Sequence, residues 1–261
     1  MRSKEGRRIG IRSFLTAIAL LCFVLLLSAC GSAHRITLTL SVAASLQGSI
    51  TEIEAAYQRD HPVEFRNNFG ASGTLAREIE QGAPVDAFVS AGSNPMNQLQ
   101  SEQLLLEGSR ADLLRNSLVL IAPNGSSLKG FEGLTDKQVR TVALGDPASV
   151  PAGQYGRQAL AALHLFEKLQ SKIVLGKDVR QVLTYVETGD ADAGLVYATD
   201  ALITQRVRIV AIAPENSHDP VVYPVAQIKN AHNESTARDF IAFLRSPAAR
   251  AIFERRGFRM A

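Results

Sequence analysis

The amino-acid sequence predicts an α/β protein whose mostly parallel sheets are flanked by helices, and three observations predict it. Short apolar runs at Pro84–Val89, Val142–Leu144, Ile173–Leu175 and Gly194–Tyr197 alternate with stretches whose apolar residues recur at helical spacing. The junctions carry glycine, proline and small polar residues that turn the chain. No internal repeat, low-complexity tract or long linker breaks the alternation, which is the pattern of strands joined by crossover helices.

Taken in order, Ile36–Leu40 runs into Ser41–Ala44 as a first strand. Ser45 stands where an N-cap would, ahead of Leu46, Ile50, Ile53 and Tyr57 on one helical face. A second strand starts at Val63, and Phe69–Thr74 turns it into a helix with Leu75 and Ile79 inward, ended by Gly82. After the Pro84–Val89 strand, Ser117–Ala122 opens a second unit. In it, Val142–Leu144 meets the turn Gly145–Gly156, whose prolines and glycines swing the backbone into a helix starting near Ala152. Ile173–Leu175 precedes a helix with Val179, Val182, Leu183 and Val186 on one face, closed by Gly189. Gly194–Tyr197 and Val207–Ala213 read as strands, and Val221–Ile228 is extended. A helix after Ser235 and a short one from Pro247 to Gly257 complete the chain.

The 261 residues, 46% of them hydrophobic, suffice for one large or two ordinary domains. The net charge is +3, but residues 1–29 hold five basic residues and one acid, so the remainder carries −1. That balance excludes a basic nucleic-acid footprint. The basic start followed by the apolar run Phe14–Leu27 has the form of a secretory signal. Leu27-Ser28-Ala29-Cys30 resembles the lipobox of bacterial lipoproteins, which implies a signal peptide over 1–29, lipidation of Cys30 and a tether over 30–35. Cys22 leaves with the signal and Cys30 is capped, so cysteine chemistry and cysteine metal sites are excluded from the mature chain.

Four strand-to-helix junctions share a chemical character: Ala43–Leu46, Gly70–Thr74, Val150–Gly153 and Gly176–Val179. Helix starts present amides without intrahelical acceptors and favour an anion, and ligands of open α/β sheets bind at this edge. Ser45 and Ser72 offer hydroxyls, while Ala152 and Val179 offer amides. Taken singly, each serine reads as an ordinary N-cap and Val179 as part of an apolar face; only their convergence makes a site. The Gly145–Gly156 turn holds no Lys or Arg, so an anion there would be held by neutral donors. A serine hydrolase built on Ser45 or Ser72 is the rival from another class, but neither lies in a Gly-x-Ser-x-Gly elbow. Asp146, Asp190 and Asp192 read as turn residues, which gives no support to a carboxylate metal site.

The motifs Ala43-Ala44-Ser45-Leu46, Ala71–Ile79, Gly145-Asp146-Pro147 with Val150-Pro151-Ala152-Gly153, Asp178-Val179-Arg180 and Leu195-Val196-Tyr197 resemble those of the molybdate-binding proteins of ABC importers. The resemblance implies a two-lobed, periplasmic-binding-protein-like fold of type II with a two-strand hinge. It implies an exported, non-enzymatic monomer that captures molybdate or tungstate between the lobes and passes it to a membrane permease with its ATPase. No metal or cofactor assists. Carried over, the oxyanion ligands are Ser45, Ser72, Ala152, Val179 and Tyr197. Gly73 departs from the family pattern, where serine is frequent, as does Val42 ahead of the Ala-Ala-Ser motif. With Leu118–Ala122 and Val221–Gln227 as crossover strands, lobe 1 is expected over 36–117 plus 225–261 and an inserted lobe 2 over 118–224. A binding protein for another small anion, sulfate or a carboxylate, remains the alternative within this architecture.

Overall fold

The computed structural model describes residues 36–261, so the expected signal peptide, tether and Cys30 lie outside the described residues. Two sheets organise the rest. The first contains β1 (Ile36–Ala43), β2 (Val63–Gly70), β3 (Ala87–Val89), β4 (Ala111–Arg115), β10 (Val222–Gln227) and β11 (Arg259–Met260), in the order β11-β4-β10-β3-β1-β2. The second contains β5 (Leu118–Pro123), β6 (Val142–Gly145), β7 (Ile173–Gly176), β8 (Ala193–Tyr197) and β9 (Val207–Ile212), in the order β7-β6-β8-β5-β9.

Each sheet is mixed rather than mostly parallel, and the division follows from the chain path. β1, β2 and β3 run parallel, as do β6, β7 and β8, because each is followed by a helix or turn that must cross back over the sheet. β10 is antiparallel to β3 and β4, and β5 is antiparallel to β8 and β9. β5 and β10 start at a crossing between lobes, so they run away from the edge where β1, β2, β3, β6, β7 and β8 end, and β11, antiparallel to β4, runs the same way as β10.

The crossings therefore fall just outside the expected crossover strands. Leu118–Ala122 lies wholly in the second sheet, and the first crossing is the short link Asn116–Ser117. The chain returns to the first sheet at Val222, ahead of the expected boundary at 225, because Val222 and Tyr223 already pair with Arg115 and Leu114. The register shifts between Tyr223 and Pro224, where proline has no N–H to give the ladder.

Helices cover the sheets: α1 (Gln47–Tyr57), α2 (Ser72–Glu80), α3 (Ser93–Ser101), α8 (Glu234–Phe243) and α9 (Pro247–Arg255) belong to the first lobe. α4 (Pro151–Ala162), α5 (Phe166–Leu169), α6 (Val179–Thr188) and α7 (Ala198–Ala201) belong to the second. The apolar faces expected from spacing are buried: Leu46, Ile50, Ile53 and Tyr57 on and ahead of α1, and Val179, Val182, Leu183 and Val186 on α6. Gly82, Gly189 and Gly257 end their helices with φ of 90°, 80° and 87°, a left-handed backbone that favours glycine.

The buried carboxyl of Glu54 is expected to make the fold pH-sensitive. Glu54 on α1 accepts from Asn67 Nδ2 at 2.9 Å, while its Oε1 has no hydrogen-bond partner among the described residues. Burial, opposed by the Asn67 bond, pushes its pKa up from 4.5 to about 7. A raised acid favours the protonated folded state, so its full contribution is present below pH 4.5 and is lost as pH rises towards 7. Glu54→Gln keeps an acceptor for Asn67 and cannot ionise. The drop in melting temperature between pH 5 and pH 8 is expected to shrink in this variant, by about 2–4 °C for each kcal/mol recovered. Thermal melts at the two pH values check this, and an unchanged drop would refute it.

Candidate functional site

The carboxyl ends of six strands converge between the lobes. From the first lobe, β1 delivers the turn Ala44–Leu46, β2 ends at Gly70 ahead of Ser72, and β3 leads to Ala91. From the second, β6 leads to Val150–Ala152, β7 to Asp178 and Val179, and β8 to Tyr197. Together they line one cavity of about 210 Å³, its solvent mouth included. All five residues expected at the site, Ser45, Ser72, Ala152, Val179 and Tyr197, are among its walls. No Lys or Arg lines it, and its one ionisable carboxyl is Asp178, whose Oδ1 accepts the Gln181 amide at 2.8 Å as the N-cap of α6.

Neither serine is a helix cap, contrary to the ordinary reading of each. Ser45 sits inside the 3-10 turn Ala44–Leu46, and α1 begins only at Gln47 with no side-chain cap. Ser72 is the first residue of α2, whose N-cap position is Ala71. Its Oγ instead accepts the Ala91 amide at 2.9 Å, which leaves the hydroxyl hydrogen free to point into the cavity. Both serines are buried, at 5% and 1% exposure, and a hydroxyl so placed needs a partner.

The Ser45 hydroxyl is oriented by a chain of side chains that sequence reasoning missed. Asn116 Oδ1 accepts the Ser117 amide at 2.8 Å, which fixes its amide so that Nδ2 donates to Thr199 Oγ1 at 2.9 Å and Tyr223 Oη at 3.2 Å. Tyr223 Oη, already an acceptor, gives its own hydrogen to Ser45 Oγ at 3.2 Å. Ser45 is thereby left as a donor towards the cavity. Asn116, Thr199 and Tyr223 lie 71, 154 and 178 positions from Ser45 in sequence, and no short-range spacing relates them. A lone Asn between Arg115 and an apolar run was the one local signal.

The amides come from the helix starts. Ala152 is the second residue of α4 behind Pro151, and Val179 is the first of α6; amides at these positions have no intrahelical acceptor. Asp146 holds the preceding turn, its Oδ1 accepting Ala148 N at 3.0 Å, which is the turn role expected of it. Tyr197 Oη donates across the cleft to the Ala91 carbonyl at 2.9 Å. Burial pushes the Tyr197 and Tyr223 hydroxyls well above their usual 10, with neighbouring Asp200 adding to each shift, so both remain protonated donors.

The lobes meet closely around this cavity. Gly73 N donates to Ser149 O at 2.9 Å and Asn94 Nδ2 to Gln154 Oε1 at 3.1 Å, each across the cleft. A Cβ on Gly73 would stand 2.7 Å from Ser149 O, so the missing serine at this position permits the approach rather than merely removing a hydroxyl.

The chain matches the family model of the bacterial extracellular solute-binding proteins over residues 38–259. It is 41% identical over 251 residues to a Bacillus subtilis (strain 168) protein named as an ABC transporter substrate-binding lipoprotein, covering 92% of this chain and 96% of that one. It is 38% identical over 226 residues to the molybdate-binding protein of Haemophilus influenzae, covering 84% of this chain and 89% of the relative. Among solved structures, the periplasmic molybdate-binding protein of Azotobacter vinelandii superposes with a TM-score of 0.77 at 24% identity, over 86% of this chain and 99% of that one, a likeness of fold. The serine-hydrolase reading falls with these matches, and Ser45 and Ser72 have a phenol and a backbone amide, not a base, as partners. A two-lobed cleft walled by neutral donors, together with these matches, places the chain in the family of bacterial extracellular solute-binding proteins, exported binding components of transport rather than enzymes.

Proposed function

We propose that this protein captures molybdate, and tungstate as well, in the interlobe cavity and delivers it to an ABC permease, working as a monomer tethered through a lipid on Cys30. The observation that carries the reading is the convergence of Ser45, Ser72, Ala152, Val179 and Tyr197 from both lobes on one cavity without a cationic side chain. A tetrahedral dianion taken out of water needs several preorganised donors, and these sit on strand ends and helix starts that lose little freedom on binding. In such a complex the Tyr197 hydrogen transfers its bond from the Ala91 carbonyl to the anion, since a bond to a charged acceptor is the stronger. Protonated phosphate would leave its O–H facing donors, which disfavours it. The names of the relatives, two of which are molybdate-binding proteins, support the choice of ligand. No cofactor enters the proposal.

The test is a calorimetric titration of residues 31–261 with molybdate, then sulfate, then phosphate. One-to-one binding of molybdate with no heat from the other two is the expected result. A preference for sulfate would keep the architecture and refute the ligand, and silence with all three would refute the oxyanion reading.

A further inference from the structure

Arg180 lies outside the cavity, yet it joins two of its corners. It follows Val179 at the start of α6 in the second lobe, and its Nε–H donates to the Ala44 carbonyl of the first lobe at 3.2 Å. Ala44 precedes Ser45, so this bond links the peptide units beside two of the five expected ligand residues. The same Nε stands 3.4 Å from Asp200 Oδ1 on α7, three residues after Tyr197. Asp200 is completely buried, and among the described residues no side chain donates a hydrogen bond to its carboxylate. A buried carboxylate so sparsely hydrogen-bonded is costly and is tolerated beside a counter-charge. Burial raises its pKa from 3.8 to about 6, with Arg180 first and a backbone hydrogen bond at Tyr197 second pulling the other way.

We propose that Arg180 is a closure residue that fastens the second lobe to the Ala44–Ser45 turn of the first, and that Asp200 is the positioning residue that holds its guanidinium ready for that bond. The Nε–H···O contact spans the lobes, so it exists only when they are closed, whereas the Arg180–Asp200 pair lies within one lobe and persists when they part. A contact made in one state only shifts the equilibrium towards that state and slows release of whatever the state encloses. Asp200 opposes the guanidinium's escape to water in the open form and so lowers the cost of re-forming the bond. Gly48, Ser49, Arg255 and Arg256 are among the residues lining the groove in which the guanidinium lies, and both arginines are already engaged by Glu52, at 2.7 and 2.8 Å.

The inference rests on the oxyanion reading for its ligand arm and on interlobe geometry alone for its other arm. Residues 31–261 contain no cysteine, so spin labels can be placed at Arg59→Cys and Lys168→Cys, one exposed site on each lobe. Arg180→Met in this background is expected to shift the unliganded interlobe distances to longer values. It should also speed molybdate release about tenfold, with association changed less than about twofold. Asp200→Asn should move both readouts the same way by less, and the double variant, which buries no unpaired charge, should match Arg180→Met. Distances and release rates equal to those of the parent in Arg180→Met or in the double variant would overturn the proposal, whatever the melting temperature does. Absence of molybdate binding by the parent would instead sink the oxyanion reading, and the unliganded distances would still decide the role of Arg180.

Discussion

Ser72→Ala is expected to weaken molybdate binding by about ten- to hundredfold, and Ser45→Ala by a similar factor. Each removes one hydroxyl donor from a charged acceptor in a buried site, where such a bond contributes about 1.5–3 kcal/mol. The two sites also separate binding from stability. Ser72 Oγ is the acceptor of the Ala91 amide, so its loss leaves a buried N–H unpaired and lowers stability by about 1–3 kcal/mol. Ser45 Oγ is the end of the relay from Asn116 through Tyr223, so its loss leaves the Tyr223 hydroxyl without its acceptor. Calorimetry on each variant, with thermal melts beside it, checks the assignment. Affinity within about twofold of the parent in both variants would remove the serines from the ligand set.

The largest stability effect is expected at Gly153→Ala. A Cβ at this position would lie 1.9 Å from the Gly145 carbonyl oxygen and 2.4 Å from its carbon, backbone atoms of β6 that cannot rotate aside. The start of α4 must then move off the sheet. Overpacking of this kind costs about 1–3 kcal/mol or more, which in a chain this long lowers the melting temperature by at least about 2–12 °C. The same displacement carries the Ala152 amide away from the cavity, so oxyanion affinity is expected to fall about tenfold or more in whatever fraction remains folded. A variant with the parent's melting temperature and affinity would show that the β6–α4 corner is not held as tightly as its backbone contacts require.

How legible each part was depended on the range of the interactions that form it. The α1 and α6 faces, the left-handed glycines after helices and the Pro151 helix start are written in spacings of three or four residues and in single-residue backbone preferences, and all appear where the sequence puts them. The five expected ligand residues were carried by motif resemblance, and the same strand ends bring them to one cavity. Ser45 and Ser72 misread as caps because capping statistics describe a helix in isolation, while the Ala91 amide and the Tyr223 hydroxyl compete for those oxygens from distant strands.

By itself the sequence determined the class of the fold, the alternation of strand and helix, the neutral character of the Gly145–Gly156 turn and the signal-like leader. Only the tertiary structure decided that each sheet is mixed, that the crossings fall at Asn116–Ser117 and ahead of Val222, and that Asn116, Tyr223, Arg180 and Asp200 stand behind the cavity. Local patterns are set by the backbone and its nearest side chains. Strand order and the direction of the Ser45 hydroxyl are set by groups far apart in the chain, 107 positions for Asn116 and Tyr223 and 178 for Ser45 and Tyr223, which meet only when the strands are assembled around the cleft.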